Sequence, residues 1–243
     1  MAIVTGAGRG LGRAMAEALA RAGADLMLVG RDGARLGETR AAVAAGGRRA
    51  EVCVADLAER SAAGRIVRAA IGAFGKVDIL VNNAGIIRRR PAFDFTEEDW
   101  DEVMAVNLDS VFFLSQACAR DMRARRWGKI INIASLLTFS GGITVPSYAA
   151  SKGGVGQITK ALANEWAREG ICVNAIAPGY METDNTRALR QDPQRNTEIS
   201  ARIPAGRWGV PGDLAGPVVF LASDASAYVH GHILLVDGGW MAR

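Results

Sequence analysis

Tyr148 and Lys152 stand four residues apart in a stretch, residues 147–164, whose composition fits a helix. At that spacing two side chains share one helical face. A phenol beside an ammonium can exchange protons, because the cation favours phenolate and lowers the phenol pKa from its ordinary value of about 10. A solvated face would give the same pair, but lysine and tyrosine are scarce here, and Ser135 ends an apolar run just upstream. These residues indicate a proton-transfer site.

A glycine-rich turn near the start of the chain predicts a nucleotide site. Residues 2–5 form a short β-branched run, residues 6–12 carry four glycines, and the alanine-rich residues 13–22 have the pattern of a helix. Glycines let a backbone approach a pyrophosphate closely, and a helix N-terminus presents free N–H groups to the anion. A purely structural turn is the alternative. No Lys-Ser or Lys-Thr follows, which excludes a P-loop.

Strand-like and helix-like segments alternate along the whole chain. This order predicts an α/β fold, a single Rossmann-like doubly wound parallel sheet of about seven strands with helices on both faces. We expect one domain over residues 1–243, with one continuous helix from Thr96 to about Arg123. Ligands bind at the carboxyl ends of such strands, where Gly6, Asp56, Asn83 and Ser135 are predicted to lie.

Residues 180–211 look irregular, because they are rich in charge and interrupted by Pro193 and Pro204. A long irregular stretch inside a compact domain is usually functional. We therefore predict a substrate lid at about residues 180–211.

The choice between NAD and NADP stays open in the sequence. An acid at the end of the second strand would bind the ribose of NAD, whereas an arginine there suits the 2′-phosphate of NADP. That position is Gly30, followed by Arg31, which favours NADP or tolerance of both, although Asp32 could turn back to a ribose. Asp56 could contact the adenine or cap a helix.

Composition excludes several other classes of protein. The net charge is only +4 and the arginines are scattered among acids, so nucleic-acid binding is not expected. No apolar run is long enough for a membrane span. Three separated cysteines and two histidines make neither a disulfide framework nor a metal site, and they suit a reducing cytoplasm.

Taken together, the motifs resemble those of the short-chain dehydrogenase/reductase family over the whole chain. The matching motifs are Thr5-Gly6-x-x-x-Gly10-x-Gly12, Asn82-Asn83-Ala84-Gly85, Asn107, Ser135, Tyr148-x-x-x-Lys152, Pro178-Gly179 and Val236-Asp237-Gly238-Gly239. The resemblance implies an NAD- or NADP-dependent enzyme acting on CH–OH groups of a small molecule, and a homotetramer. A nucleotide-binding protein without catalysis is the non-enzyme alternative.

The resemblance also implies roles for individual residues. Tyr148 would be the general acid/base, Lys152 would hold the nicotinamide ribose and lower the Tyr148 pKa, Ser135 would hydrogen-bond the substrate oxygen, and Asn107 would anchor a water. The implied cofactor-binding residues are Gly6, Arg9, Gly10, Leu11, Gly12, Arg31, Asp56, Leu57, Asn83, Ala84, Gly85, Tyr148, Lys152, Pro178, Gly179, Met181 and Thr183.

Several segments, among them residues 83–90, 177–181 and 202–208, are similar to the sugar-acid dehydrogenase branch of that family. A sugar acid needs a cation for its carboxylate, and arginine binds carboxylates in a bidentate manner. Arg88, Arg89 and Arg90 follow the fourth strand and Arg187 lies in the predicted lid, and of these Arg88 and Arg187 are the candidates. A gluconate dehydrogenase and a 3-oxoacyl carrier-protein reductase are the alternative enzymes. The polar residues of the lid argue against a long acyl substrate.

Overall fold

The computed structural model describes residues 1–243. Seven parallel strands form one sheet in the order β3-β2-β1-β4-β5-β6-β7, which confirms the expected architecture. The strands are β1 (Ala2–Thr5), β2 (Leu26–Gly30), β3 (Ala50–Val54), β4 (Ile79–Asn82), β5 (Gly128–Ile133), β6 (Ile171–Pro178) and β7 (Ile233–Val236).

Helices cover both faces of this sheet, as its apolar strands require. Every residue of β1, β4, β5 and β6 is buried, and a strand buried on both faces reads as a continuous apolar run. The helices are α1 (Gly10–Arg21), α2 (Gly33–Ala45), α3 (Ala62–Phe74), α4 (Glu97–Met104), α5 (Ser110–Arg125), α6 (Pro146–Trp166), α7 (Arg187–Gln191), α8 (Pro193–Arg202) and α9 (Ala215–Ala222).

The core has two main layers, one on each face of the sheet. Helices α1, α2 and α9 bury Leu19, Leu36 and Leu221 on one face. Helices α3, α5 and α6 bury side chains such as Leu114 and Leu162 on the other. No helix has both the length and the apolar composition that a membrane crossing requires.

The prediction of one continuous helix from Thr96 to about Arg123 is wrong in one respect. A π-helical turn, Ala105–Asp109, separates α4 from α5. One extra residue in a turn shifts the register of the side chains and breaks the usual hydrogen-bond ladder, a device common at functional sites. Asn107 lies in this turn and is fully buried.

The prediction that residues 180–211 are irregular is also wrong, because α7 and α8 lie within this stretch. Pro193 begins α8, where its missing N–H costs nothing, and the Asp192 carboxylate caps the helix by accepting from Arg195 N–H at 3.1 Å. Ile199 is the buried anchor of α8 and packs with Trp208 and Trp240. A proline read as an interruption is therefore a helix start.

Candidate active site

A cavity of about 780 Å³ opens at the carboxyl end of the sheet. Every residue assigned above to the cofactor, from Gly6 to Thr183, lines this cavity, and so does Ser135. Asn107, Arg88 and Arg187 do not line it. The fold thus brings together groups that lie as much as 177 positions apart, because the carboxyl ends of parallel strands meet at one side of the sheet.

The glycine turn between β1 and α1 forms one wall of the cavity. Gly6 has a φ of +65°, in the left-handed region that glycine tolerates. A Cβ on Gly12 would lie 2.2 Å from the Gly6 carbonyl oxygen, so the turn closes tightly only without that atom. The N-cap residue of α1, Arg9, makes no side-chain capping bond, so no side chain competes for the first N–H groups of α1. These features fit a pyrophosphate.

Asn83 supports this turn from the neighbouring strand. Its side-chain amide donates to the Thr5 carbonyl at 2.8 Å. In return, the Thr5 hydroxyl accepts from the backbone N–H groups of Asn83 at 2.9 Å and Ala84 at 3.0 Å. The ends of β1 and β4 are therefore joined by side chains where the ladder of backbone hydrogen bonds stops.

Tyr148 and Lys152 lie on the face of α6 that meets the cavity. The Lys152 ammonium lies 5.7 Å from the centroid of the Tyr148 ring and donates to the Ile133 carbonyl at 2.6 Å. Lys152 is 4% exposed and no carboxylate lies within 4.0 Å of its nitrogen. Burial of the cation lowers the Lys152 pKa to about 8.

The expected lowering of the Tyr148 pKa by Lys152 is wrong for the protein alone. Burial of the phenol raises its pKa, and this effect exceeds the opposing effects of a hydrogen bond with Ser135 and of the positive charge of Arg89. The reason is that removing phenolate from water is costly. The residue whose charge lowers the Tyr148 pKa is thus Arg89.

Ser135 is held in place by the turn that follows β5. Its side-chain oxygen accepts from Leu137 N–H at 3.1 Å and caps the 3₁₀ turn Leu136–Thr138. The Thr138 hydroxyl donates to the Lys152 carbonyl at 3.0 Å, which ties this turn to α6. Because a hydroxyl carries one proton as well as acceptor lone pairs, the Ser135 proton can be donated to the Tyr148 oxygen or to the oxygen of a ligand.

Asn107 lies behind the cavity wall and braces the segment after β4. Its side-chain oxygen accepts from Ile86 N–H at 2.8 Å, and its nitrogen donates to the Ile86 carbonyl at 2.9 Å and to the Ser151 hydroxyl at 3.2 Å. The Ile86 carbonyl is thus one partner of this buried asparagine. The water that it would anchor stays a prediction.

Two arginines, not one, line the part of the cavity beyond β2. Arg31 and Arg35 both face it. Asp32 lines the same cavity and caps α2, because its Oδ1 accepts from the backbone N–H of Ala34 at 3.1 Å and of Arg35 at 3.2 Å. Its Oδ2 lies 3.3 Å from the Arg35 guanidinium, and a contact between Asp32 and a ribose stays a prediction. The Asp56 carboxylate lies 3.8 Å from the Arg31 guanidinium, on the cavity wall.

The arginines after β4 differ in their partners. The Arg88 guanidinium lies 2.5 Å from Glu102 and 3.6 Å from Asp99, so its charge is compensated by carboxylates. Arg90 pairs with Asp99 at 3.2 Å. Arg89 has no carboxylate within 4.0 Å and is exposed. Like Arg88, Arg89 does not line the cavity, but its charge acts on Tyr148, which makes it the better candidate for an anionic group of a ligand.

Arg187 does not line the cavity and pairs with Asp184, which does. Its neighbour one helical turn along, Arg190, lines the cavity and pairs with Glu182 at 3.4 Å. Sequence reasoning missed Arg35 and Arg190, and it considered Arg89 beside Arg88 without choosing it. The only signal was the spacing of these arginines from residues already chosen, and spacing does not tell which of several nearby arginines lines the cavity.

The chain matches known proteins along its whole length. Residues 6–241 match a family model described as enoyl-(acyl carrier protein) reductase. The 2-dehydro-3-deoxy-D-gluconate 5-dehydrogenase of Escherichia coli (strain K12) is 56% identical over 244 aligned residues, covering 100% of this chain and 96% of that protein.

Two solved structures are similarly close. One, described as a candidate 2-deoxy-D-gluconate 3-dehydrogenase from Agrobacterium tumefaciens with bound NADP, is 53% identical with a TM-score of 0.92, over 100% of this chain and 96% of that one. The other, described as a candidate NAD(P)-dependent gluconate 5-dehydrogenase from Beutenbergia cavernae with bound NADP, is 52% identical with a TM-score of 0.96 and the same coverage.

Proposed function

Since the chain belongs to the short-chain dehydrogenase/reductase family, we propose that it is a 2-dehydro-3-deoxy-D-gluconate 5-dehydrogenase, of the kind also described as 2-deoxy-D-gluconate 3-dehydrogenase. It interconverts a secondary alcohol and a ketone of a sugar acid with a nicotinamide cofactor. The observation that carries this proposal is the identity of 56% over the full chain to the E. coli enzyme, together with the cavity that Ser135, Tyr148 and Lys152 share with the glycine turn.

The roles of the side chains follow from their environment. Tyr148 takes the alcohol proton in the oxidation and returns it in the reduction. Ser135 donates its hydroxyl proton to the substrate oxygen and stabilises the charge that develops there. Lys152 offers its buried ammonium to the ribose hydroxyls. When bound, the cofactor accepts or supplies the hydride.

Asn107 acts through the backbone. By holding both polar groups of Ile86, it keeps the segment Ala84–Gly85–Ile86 against the cavity. It is therefore a positioning residue in this proposal, and the water relay through it to Lys152 remains a prediction.

Arg31 and Arg35 support a preference for NADP. Two guanidinium groups on the wall beyond β2 suit a phosphate that carries close to two negative charges, and Asp32 is engaged in capping α2. Both solved relatives described above have NADP bound. The carboxylate of Asp56 near Arg31 leaves room for NAD as well, since an acid can accept from ribose hydroxyls.

Arg89 is the residue that we assign to the substrate carboxylate, in place of Arg88 and Arg187. A guanidinium without a carboxylate partner is free to bind one, whereas Arg88 would first have to leave Glu102. The charge of Arg89 also acts on Tyr148. A carboxylate bound to Arg89 would therefore lie close to the hydroxyl that reacts, as it does in a short hydroxy acid.

A gluconate 5-dehydrogenase is the second candidate, because one solved relative at 52% identity carries that description. The 3-oxoacyl carrier-protein reductase has less support, since the cavity wall near α7 is formed by Glu182, Asp184, Asn185 and Thr186, and a long acyl chain needs apolar walls. A lid formed by residues 180–211, a homotetramer and a cytoplasmic location stay predictions.

A panel of substrates tests the reaction class. NADH and NADPH oxidation would be followed with 2-dehydro-3-deoxy-D-gluconate's 5-keto derivative, 5-keto-gluconate and an acetoacetyl thioester. The proposal expects the highest kcat/KM for the deoxy keto acid. A higher value for 5-keto-gluconate would favour the second candidate, and turnover of the thioester alone would overturn both.

Arg89→Met tests the carboxylate site. Losing a charged hydrogen-bonding pair costs about 1.5–3 kcal/mol, so KM for the keto acid should rise by about 10–100-fold. The variant should also need a higher pH for oxidation, because without the cation the Tyr148 pKa rises further and phenolate forms at higher pH. Arg88→Met is the matched control and should leave KM and the pH profile unchanged. The opposite pattern would assign the carboxylate to Arg88.

A further inference from the structure

A second cluster of reactive side chains lies at the amino end of the sheet, away from the cavity. Lys129 in β5 and Cys172 in β6 are register partners, so their side chains leave the sheet side by side. The Lys129 nitrogen lies 3.3 Å from the Cys172 sulfur and 3.3 Å from the Ser226 hydroxyl. Lys129 is only 3% exposed and has no carboxylate within 4.0 Å.

A histidine and a surface turn complete this cluster. The His230 Nε2 atom lies 3.9 Å from the Cys172 sulfur, and the other ring nitrogen is buried without a partner. Ala227, whose carbonyl faces the sulfur at 3.8 Å, and Tyr228 belong to a turn with exposed side chains. Local opening of a surface turn would admit a small oxidant.

We infer that Lys129 and Cys172 are the site of an oxidative crosslink between β5 and β6. The oxidant is a peroxide. Hydrogen peroxide transfers one oxygen to the Cys172 sulfur, which yields a sulfenic acid and one water, so the sulfur loses two electrons and the peroxide gains them. His230 can accept the thiol proton and pass it to the leaving hydroxide.

The second step joins the two side chains. The Lys129 nitrogen, as the neutral amine, attacks the sulfur, an S–N bond forms and the S–O bond breaks. The hydroxide that leaves takes a proton from the nitrogen and becomes the second water. The product is a sulfenamide, in which the protein has lost two hydrogen atoms. A thiol reverses the step by attack on the sulfur.

The other two cysteines lack what this chemistry needs. Burial raises the thiol pKa of Cys118 and of Cys53, although the charge of Arg65 acts against this at Cys53. The cation near Cys53 is the guanidinium of Arg65, which stays protonated and so cannot attack a sulfenic acid as a neutral amine does. Cys172 alone has an amine in contact with its sulfur.

Peptide mapping of the full-length protein tests the crosslink. After hydrogen peroxide, the intact mass should fall by two hydrogen atoms, trypsin should no longer cleave after Lys129, and a peptide joining Lys129 to Cys172 should appear and vanish with dithiothreitol. Lys129→Arg keeps the positive charge but removes the amine. In that variant a Cys172 sulfenic acid should accumulate and be captured by dimedone, which should not label Cys172 in the unsubstituted protein.

Cys53→Ser is the matched control and should form the same crosslink. A Cys172 sulfenic acid that persists in the unsubstituted protein with no joined peptide, or oxidation of Cys53 while Cys172 stays a thiol, would overturn the proposal. A joined peptide that retains one added oxygen would overturn the condensation step and assign an N–O–S link. The peptide map of the unsubstituted protein decides these outcomes even if Lys129→Arg does not fold.

Discussion

A buried lysine lies near each end of strand β5: Lys129, in the strand itself, at the amino end and Lys152, from α6, at the carboxyl end. The two ends differ in what surrounds the cation. At the carboxyl end, the Lys152 nitrogen donates to the Ile133 carbonyl and faces a cavity of about 780 Å³. At the amino end, the Lys129 nitrogen contacts only a thiol, a hydroxyl and, at 6.0 Å, the Trp127 ring. Neither cation has a carboxylate within 4.0 Å.

This difference separates a binding site from a packed interior. A buried charge without a counter-ion lowers stability, so each lysine needs another explanation than ion pairing. At the carboxyl end the loops after the strands splay apart and leave space for a ligand. At the amino end the connections are short and close: a Cβ on Gly170 would lie 2.0 Å from the Arg126 carbonyl oxygen. Chemistry with a ligand is therefore expected at one end, and chemistry between side chains at the other.

Tyr148→Phe should produce the largest effect and should act at the carboxyl end only. Removing a general acid/base lowers kcat by about 10²–10⁴-fold, whereas NADPH binding, measured by fluorescence titration, should be unchanged because the ring remains. Cys172→Ser, at the amino end, is the control and should keep the kcat of the unsubstituted protein. Near-normal kcat in Tyr148→Phe would remove the phenol from the reaction.

Lys152→Met should change how stability depends on pH. The folded protein releases the Lys152 proton near pH 8, and an unfolded chain releases it near 10.5. Between these values the unfolded state holds more protons, so the free energy of unfolding rises with pH and the cost of the buried cation, about 3 kcal/mol below pH 8, is relieved.

Urea unfolding at about pH 7 and about pH 10 measures this rise in the free energy of unfolding. The rise should be smaller in Lys152→Met by about 1–3 kcal/mol, since the group that causes it is gone. Lys160→Met removes an exposed lysine from the same helix and should keep the rise. An equal rise in both variants would show that Lys152 is not the group responsible.

Two glycine substitutions should give effects no larger than that of Lys152→Met, and they compare the two ends directly. Gly12→Ala places a Cβ against the Gly6 carbonyl and disturbs the glycine turn, so NADPH should bind about tenfold more weakly, which corresponds to about 1.4 kcal/mol. Gly170→Ala forces a residue with a φ of +79° against Arg126. It should lower the free energy of unfolding by about 1–3 kcal/mol.

Binding titrations and urea unfolding on both variants separate these effects. Gly170→Ala should bind NADPH with the affinity of the unsubstituted protein when measured well below its unfolding temperature. Weakened NADPH binding in Gly170→Ala, with normal binding in Gly12→Ala, would reverse the assignment of the two ends.

Local patterns predicted most of the framework, because each depends on neighbours in the chain. Continuous apolar runs predicted buried parallel strands, and the glycines after β1 predicted a turn open to a ligand. The N-terminus of α2 is set by the Asp32 cap, and the sequence also allowed Asp32 as a ribose ligand. A capping bond and a ligand contact use the same carboxylate, so sequence alone does not separate them.

The arginine assignments show where local reasoning stops. Arg88, Arg89 and Arg90 are adjacent, and their directions depend on the path of the chain after β4. That path is held by the Asn107 side chain and by a backbone bond from Arg90 N–H to the Thr144 carbonyl at 2.9 Å. Both partners are distant in sequence.

The order of residues by itself determined the doubly wound sheet, the glycine turn and the identity of the groups that meet at the carboxyl ends of the strands, because periodicity and backbone freedom are properties of short segments. The tertiary structure alone decided the direction in which the Tyr148 pKa shifts, the arginine after β4 whose charge acts on Tyr148, and the contact between Lys129 and Cys172. Burial, charge compensation and strand register arise only when segments far apart in the chain are packed together, and each depends on distances in space.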